Sequence, residues 1–531
     1  MPNVHELIRD HVTLSIRCLD RLYLHAYLPK LQTSGGLCYF LRDHLGHPIP
    51  SPALFAPMLE RFVGAIKAYA TTHDVPFIPF ARGQRKDDVV AEYRARRPMG
   101  DGVVVIGVAP ERMRAFKAHR LPARGHAVSF DFSRQPVAVN HYYFYVQDPE
   151  WGPAFLKFGT YLPYPIKLCL NGHEWVKQQL RRIGLAFDSL DNGFLTCADP
   201  TCLQAVCDRL GPADVQAFFD RWTARLPAPL TATDHAAGYT HRLALQQVEV
   251  SLTQVFARPV QGRHFFEAVI RENLDLGRPD RVGLLFPHRI IRTTPPPARG
   301  YRTRVLTEGV EPSLHIEYKS SHVKQYFKEQ RALRTETTIN NPTDFYVTKA
   351  VPNLSHLRDL GDQVNRKLLE VERVSQQCVL TQDALDRLQQ PTVEAGQRTS
   401  ALRFGDPRVM ALFQAITGFA HLPRGFRNRD LRPQVATLLG HPYSAAQMTY
   451  DLRRLRLKGL IHRIPTTHRY TATSYGLKVA FFTAKLYLRI FRPQWPALLS
   501  ADDHLPRPLR AALDALDAQI RKIHEEAALA A

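Results

Sequence analysis

The chain has 531 residues, is 45% hydrophobic and 10% aromatic, and carries 70 Lys and Arg against 49 Asp and Glu. That length exceeds what one core organises, and the apolar content excludes a disordered tail, so several folded domains are expected. A net charge of +21 favours an anionic partner, nucleic acid before a membrane surface, and no apolar run of eighteen residues marks a membrane span.

Residues 12–18 alternate apolar and polar and read as a strand. Asp20 follows it, a position where a carboxylate holds a metal in some proteins and more often closes a turn or a salt bridge. Residues 53–70 have helical periodicity, residues 75–80 are a short apolar run, and residues 103–109 read as a buried strand feeding a helix over 110–119. Strands alternating with helices make residues 1–125 an α/β region. From residue 128 consecutive strands follow, so 126–226 reads as a β-rich region with helices. The strand at 137–146 is crowded with His141, Tyr142, Tyr143, Phe144 and Tyr145. Exposed on a sheet face, such rings would stack unpaired bases, as RNA binders do; on a two-sided sheet they are core.

Acidic groups gather in the same region. Asp131 on a strand, with Asp148 and Glu150 in the turn before Trp151, suits two strand ends meeting around Mg or Mn. Asp148-Pro149-Glu150 is also an ordinary turn sequence. Cys169 and His173, with Cys197 and Cys202 or Cys207, supply the soft and borderline donors of a structural Zn site, although Cys202 and Cys207 fall on an apolar helical pattern. Seven cysteines in a large chain, and no basic-then-apolar leader, point to reduced thiols and a cytoplasmic protein.

A Pro-rich stretch at 226–238 reads as a boundary, with an α+β region of antiparallel strands over 239–400. Residues 242–256 fit either strand or helix. Residues 265–276 read as helix and 295–300 as a break. Residues 314–340 read as paired strands around a basic turn at 328–331, with Lys324 and Tyr326 on one face and Arg334, Glu336 and Thr338 on one face of the partner. A Lys-x-Tyr-x-Lys strand beside Leu-Arg-Thr-Glu is similar to sheet motifs in replication initiators of phages and plasmids. That resemblance implies a carboxylate, here Glu336, holding metal and a tyrosine, here Tyr326, attacking phosphorus to form a covalent DNA link. A cross-strand ladder of Arg, Glu and Lys is the structural alternative. Residues 353–374 read as an amphipathic helix.

The most organised stretch is 406–492. Residues 408–420 and 430–439 read as helices. Ser444 is a plausible N-cap, Met448, Leu452 and Leu455 share one face, and Gly459 stops the helix. Two short strands follow around residues 465–468. Three helices and a β-hairpin wing resemble the winged helix-turn-helix domain. Residues 401–500 hold 16 Lys and Arg against 3 Asp and Glu, a net +13. The resemblance implies a helix in the major groove of duplex DNA, with Gln447, Tyr450, Arg453, Arg454, Arg456 and Lys458 facing it. Arg463, His468 and Arg469 would sit on the backbone. A helix over 475–492 either packs back or pairs with a second subunit in a homodimer, and 493–531 reads as a helical tail.

The sequence therefore predicts a multidomain α+β protein that binds nucleic acid, DNA before RNA, with two alternatives to the first expectation. The first expectation is a duplex-binding protein serving a mobile or replicating element. The others are a metal-dependent nuclease or strand-transfer enzyme and a binder of structured RNA. No phosphate loop of the G-x-x-x-x-G-K-S/T type occurs.

Overall fold

The computed structural model describes residues 11–81, 83–96, 100–121, 130–275, 281–284, 301–308, 311–329, 331–376, 380, 382–394, 396–417, 425–487, 511 and 515. The chain forms two compact units, residues 1–370 with 422–424, and residues 371–421 with 425–531. No described helix is long and apolar enough to cross a membrane.

The strands of the first unit begin with β1 (Val12–Tyr27), β2 (Phe77–Pro79), β3 (Gly102–Arg120), β4 (Phe130–Asp148), β5 (Gly152–Gly159) and β6 (Ile166–Asn171). A hairpin of β7 (Phe187–Leu190) and β8 (Gly193–Cys197) stands apart. Then come β9 (Arg242–Phe256), β10 (Arg281–Leu284), β11 (Tyr301–Glu308), β12 (Glu311–Tyr318), β13 (Ser321–Lys328) and β14 (Ala332–Ile339). All but β7 and β8 join one sheet in the order β10-β11-β12-β13-β14-β9-β1-β6-β5-β4-β3-β2. Its described pairings are antiparallel except β2 with β3 and β10 with β11. The helices are α1 (Ser34–Tyr39), α2 (Phe55–Thr72), α3 (Lys86–Arg96), α4 (Gly172–Arg182), α5 (Pro200–Arg209), α6 (Pro212–Arg225), α7 (Ala232–Ala236), α8 (Pro259–Asp275) and α9 (Leu354–Gln376).

The sheet is continuous through the regions 1–125, 126–226 and 239–400, so the boundaries expected at 125 and 226–238 fall inside one body. The reason is that β1 is paired on one edge with β6 and on the other with β9, burying all three together. The helix expected over 110–119 is the second half of β3, held by β4 along its length, including Pro110 opposite Asn140. Residues 242–256 resolve as strand β9. The aromatics of β4 are core on both faces: Tyr142 and Phe144 join the main core with Phe62, and Tyr143 and Tyr145 pack with Phe80 and Val90. No exposed stacking platform remains there for RNA. The break at 295–300 lies outside the described residues, as does nearly all of the tail at 493–531.

Helix α9 buries Leu354, Leu357, Val364, Leu368 and Leu369. It approaches the sheet closely at Gly361, where an added Cβ would lie 2.7 Å from Val250 Cβ. Asn365 then reaches the backbone, donating from Nδ2 to Val250 O at 3.0 Å.

The second unit contains α10 (Gln382–Gln389), the hairpin β15 (Thr392–Glu394) and β16 (Gln397–Thr399), then α11 (Pro407–Ile416), α12 (Asn428–Leu439) and α13 (Ala445–Leu457). The hairpin β17 (Ile461–Arg463) and β18 (Tyr470–Ala472) and helix α14 (Ser474–Leu486) complete it. Ser444 caps α13, its hydroxyl accepting from Gln447 N, and Gln447 returns a bond to Ser444 N. Gly459 takes φ +69° and ends the turn after the helix. Val409, Leu412, Leu431, Val435, Met448, Leu452, Leu455 and Val479 form its core.

Candidate active site

Strand β1 keeps an unbroken register with β9 from Leu14 to Leu19, which pairs with Val250; the next paired residue is Leu22, opposite Val248. Asp20 and Arg21 together therefore oppose Glu249 alone. Such a bulge turns two consecutive side chains toward the same face and sharpens the local twist. Leu14, Ile16 and Cys18 are buried before the bulge, and Leu22, Leu24 and Ala26 after it. On the far side of β9, Glu249 pairs with Thr338 of β14 and Ser251 with Glu336. Glu249 and Glu336 are thus diagonal neighbours on one face. Ligand oxygens of Asp20, Glu249 and Glu336 all lie within 4.8 Å of one another.

The next strand supplies the rest. In β13, Tyr326 pairs with Arg334 and Lys324 with Glu336. Lys324, Tyr326 and Lys328 alternate onto the face of the carboxylates, each half-buried. Tyr326 Oη donates to Glu336 Oε1 at 2.9 Å, and Lys324 Nζ sits 4.1 Å from the Tyr326 ring centroid. The expected sharing of faces within this hairpin is what the register gives.

Arg334 ties the cluster together. It is fully buried, donates from Nε to Glu336 Oε1 at 2.6 Å, and is ion-paired through Nη2 to Asp20. Its Nη1 donates to the Asn192 carbonyl, and Asn192 Nδ2 donates to Asp20. The turn between β7 and β8 therefore closes over the guanidinium. Gly172, at the start of α4, permits the same closeness on β1, because a Cβ there would collide with the Leu19 carbonyl.

The charges do not balance locally. At an effective dielectric near 20, two carboxylates ~4.8 Å apart repel by about 3 kcal/mol. Burial pushes the Glu249 carboxyl up to about 8, with Asp20 and Glu336 adding to the shift and Arg21 and Arg334 opposing it. Asp20 goes the other way: burial works against its charge, but Arg334 and His173 hold its carboxyl below the ordinary value. Burial, with Glu336 beside it, raises the Tyr326 phenol. Oxygen donors alone, clustered in excess over the one buried cation, suit a hard divalent ion such as Mg or Mn.

The other sequence candidates fall elsewhere. Asp131 and Asp148 lie near opposite ends of β4, which at ~3.3 Å per residue separates them by roughly 55 Å along the strand. Asp131 is exposed, accepting from Ser34 Oγ at 3.2 Å. Asp148 is buried and already accepts from Trp222 Nε1 at 2.7 Å, Glu150 N at 2.8 Å and Trp151 N at 2.9 Å. Arg221 pairs with both Asp148 and Glu150. These carboxylates anchor the turn and α6, so their assignment to metal chemistry is corrected.

The zinc set does not gather either. His173 is buried with Nε2 3.0 Å from Ser251 Oγ and 3.1 Å from Arg334 Nη2, and a nitrogen facing a guanidinium is not free for a cation. Cys169 lies on β6 opposite Tyr23, Cys197 lies on β8, and Cys207 is on α5 beside Cys18. Among the described residues the carboxylate trio is the group of possible metal ligands that converges.

In the second unit, Arg454 is buried, paired with Asp451 at 2.9 Å and bonded to the Ala401 carbonyl. Lys458 donates to the Arg387 and Gln390 carbonyls, at 2.6 and 2.5 Å. Both side chains are occupied inside the unit, and their assignment to a DNA-facing surface is corrected. The helical phase explains it: Leu455 and Leu452 draw the adjacent Arg454 inward. Gln447, Tyr450, Arg453, Arg456, Arg463 and His468 are exposed, and Arg469 is half-buried, donating to the Gly425 carbonyl at 3.1 Å. Tyr450 Oη lies 3.0 Å from Ser400 Oγ, and Arg453 Nη2 is 3.3 Å from Gln397 Oε1, so residues 397–400 border that face.

Of the residues that converge here, the sequence singled out Tyr326 and Glu336, weighed Asp20 as a metal ligand against the commoner turn or salt-bridge residue, and did not single out Glu249. Two signals were present. Leu19-Asp20-Arg21-Leu22 breaks the apolar alternation of β1, and Val248-Glu249-Val250 sets an acid inside an apolar strand. Comparisons with protein-family models, with curated proteins and with solved structures gave no match.

Proposed function

We propose that the protein is a metal-dependent DNA strand-transfer enzyme, cutting a phosphodiester by attack of Tyr326. The observation that carries this reading is the tyrosine hydroxyl 2.9 Å from Glu336, itself one of three carboxylates whose oxygens lie within 4.8 Å. Asp20, Glu249 and Glu336 would hold the ion, which when bound supplies Lewis-acid polarisation of a phosphoryl oxygen. Glu336 accepts the Tyr326 hydroxyl hydrogen and so lies where the phenol proton departs as Oη attacks phosphorus. The new bond joins Oη to phosphorus, the phosphorus–oxygen bond to one side of the DNA breaks, and the departing strand end takes a proton from water and leaves as a hydroxyl. Lys324, over the ring, stabilises negative charge on the phenol oxygen and on the phosphate. The reverse attack by a strand hydroxyl rejoins the chain and returns the tyrosine.

The test is incubation of negatively supercoiled plasmid, whose torsional stress opens unpaired stretches, and of a single-stranded DNA, with protein and Mg²⁺ or Mn²⁺. Nicked circles and a protein–DNA adduct that survives denaturant support the reading. Their absence with both metals, or equal amounts from Tyr326→Phe, overturns it.

The second unit favours an accompanying role, gripping duplex DNA as a winged helix. It is supported by the exposed cations Arg453 and Arg456 on α13 and Arg463 on the hairpin, in a segment of net +13. A protein with both properties suits a mobile or replicating element.

A further inference from the structure

The carboxylate face of the sheet continues past the cluster, and its chemistry changes sign. After the bulge Arg21, Tyr23 and His25 alternate onto one face of β1. Tyr23 pairs with Gln247, two residues from Glu249, and Arg21 lies in the field of both Glu249 and Asp20, which fixes that face as the one carrying the site. On β6, Lys167 stands opposite His25, and on β5, Lys157 stands opposite Lys167. Arg21 and Lys167 are exposed, and Tyr23 and His25 are half-buried. Cations therefore follow one another across β1, β6 and β5, starting beside the reactive tyrosine's carboxylates, with a ring between them.

A second observation shows how concentrated that charge is. Burial lowers the His25 imidazole to about 4, and Lys167, Arg134 and Lys349 all push it the same way. Asp87, in the first turn of α3, is an acid at the border, near Tyr23 and Cys169. Lys157 is bound to Glu111 and contributes less free charge than Lys167.

Resting on the strand-transfer reading above, we propose that this track holds a single-stranded segment of the DNA substrate. Phosphates lie against Arg21 and Lys167, and a base stacks on Tyr23. From β14 to β5 there are four strand spacings, about 19 Å at ~4.8 Å each, room for the ~4 nucleotides at the lower end of single-strand sites. Burial argues against an intact duplex reaching the site. Asp20 is 1% exposed and Glu336 8%, so a stiff paired backbone cannot bring its phosphorus to Tyr326, whereas an extended unpaired strand can. The track gives that strand a path in.

The test uses the full chain and a labelled 12-nucleotide DNA strand, with chelator present so that binding is read without cleavage. Arg21→Ala and Lys167→Ala are compared with Lys67→Ala, an exposed lysine on α2 away from the track. Each track variant is expected to weaken binding several-fold and to flatten log affinity against log salt by about 0.7, the increment of one phosphate contact on a single strand. Tyr23→Leu should weaken binding roughly tenfold with the salt slope unchanged, the signature of lost stacking. Affinity and slope equal to the unsubstituted protein in both cation variants, or an equal loss in the Lys67 control, overturns the track. Nicking of plasmid with Mg²⁺ or Mn²⁺ is read separately on the same proteins. Unchanged binding with nicking intact rejects the track alone, and lost binding with no nicking in any protein rejects the strand-transfer chemistry alone.

Discussion

The hydroxyl of Tyr326 donates to Glu336 Oε1 at 2.9 Å across a single hairpin, so the proposed nucleophile and the group that accepts its hydrogen are set by one strand pairing. Replacing Tyr326 with Phe removes one oxygen and leaves β13 in register. The expected outcome is complete loss of the covalent protein–DNA adduct, with Mn²⁺ binding by calorimetry within about threefold of the unsubstituted protein. Glu336→Gln should lose both. Loss of metal binding in Tyr326→Phe would mean that the phenol itself belongs to the ligand set.

Glu249 carries a pH dependence whose sign follows from its surroundings. Its carboxyl sits at about 8 in the fold, above the ordinary carboxylate value, because of burial and the neighbouring Asp20 and Glu336. The folded protein therefore holds a proton between about pH 4.5 and 8 that the unfolded chain has released. Stability linked to this proton is present at low pH and is lost as pH rises toward 8. In chelator, thermal unfolding of the natural protein should fall more steeply over that window than that of Glu249→Gln. Below pH 8 a cation must also displace the proton, so Mg²⁺ affinity should rise by about tenfold per pH unit and level off above it. A flat affinity from pH 6 to 9 would rule out Glu249 as a ligand.

Why half of this site was legible in the sequence and half was not is a matter of chain separation. Tyr326 and Glu336 belong to adjacent strands joined by a short turn, and alternation alone sets their faces. Asp20 and Glu249 meet only because β1 pairs with β9, and no local pattern specifies that pairing. The bulge adds a further obstacle, because strict alternation would have sent Asp20 and Arg21 to opposite faces. Asp148 misled for the converse reason: its environment is made by Trp222 and Arg221 on a helix far along the chain. The capped helix α13 was legible because Ser444, Gln447 and Gly459 act within a few residues of one another.

Arg334 has no exposed surface and faces Asp20 and Glu336 at once. Replacing it with Met removes the buried cation while filling much of its volume, and leaves two carboxylates unpaired. The expected cost is about 3–5 kcal/mol in urea unfolding, the range for breaking a buried pair from one side. Because the loss is electrostatic, Mg²⁺ should restore more stability to Arg334→Met than it adds to the natural protein. Equal gains in the two proteins would show that the loss is one of packing.

The neighbouring arginines of α13 separate a structural cation from a binding one within a single helix. Arg454 is buried against Asp451 and the Ala401 carbonyl, whereas Arg456, two residues on, is exposed. Arg454→Ala should destabilise the second unit by about 1.5–3 kcal/mol, because Asp451 loses one internal partner while Arg408 remains at 2.7 Å. Arg456→Ala should leave unfolding within about 0.5 kcal/mol and instead reduce duplex affinity, flattening its salt dependence by about 0.9. The two measurements cross only if α13 presents one face to the core and another to DNA. If Arg456→Ala and Arg453→Ala both leave duplex binding and its salt slope unchanged, the helix does not enter the groove, and the positive charge of this unit serves another anion.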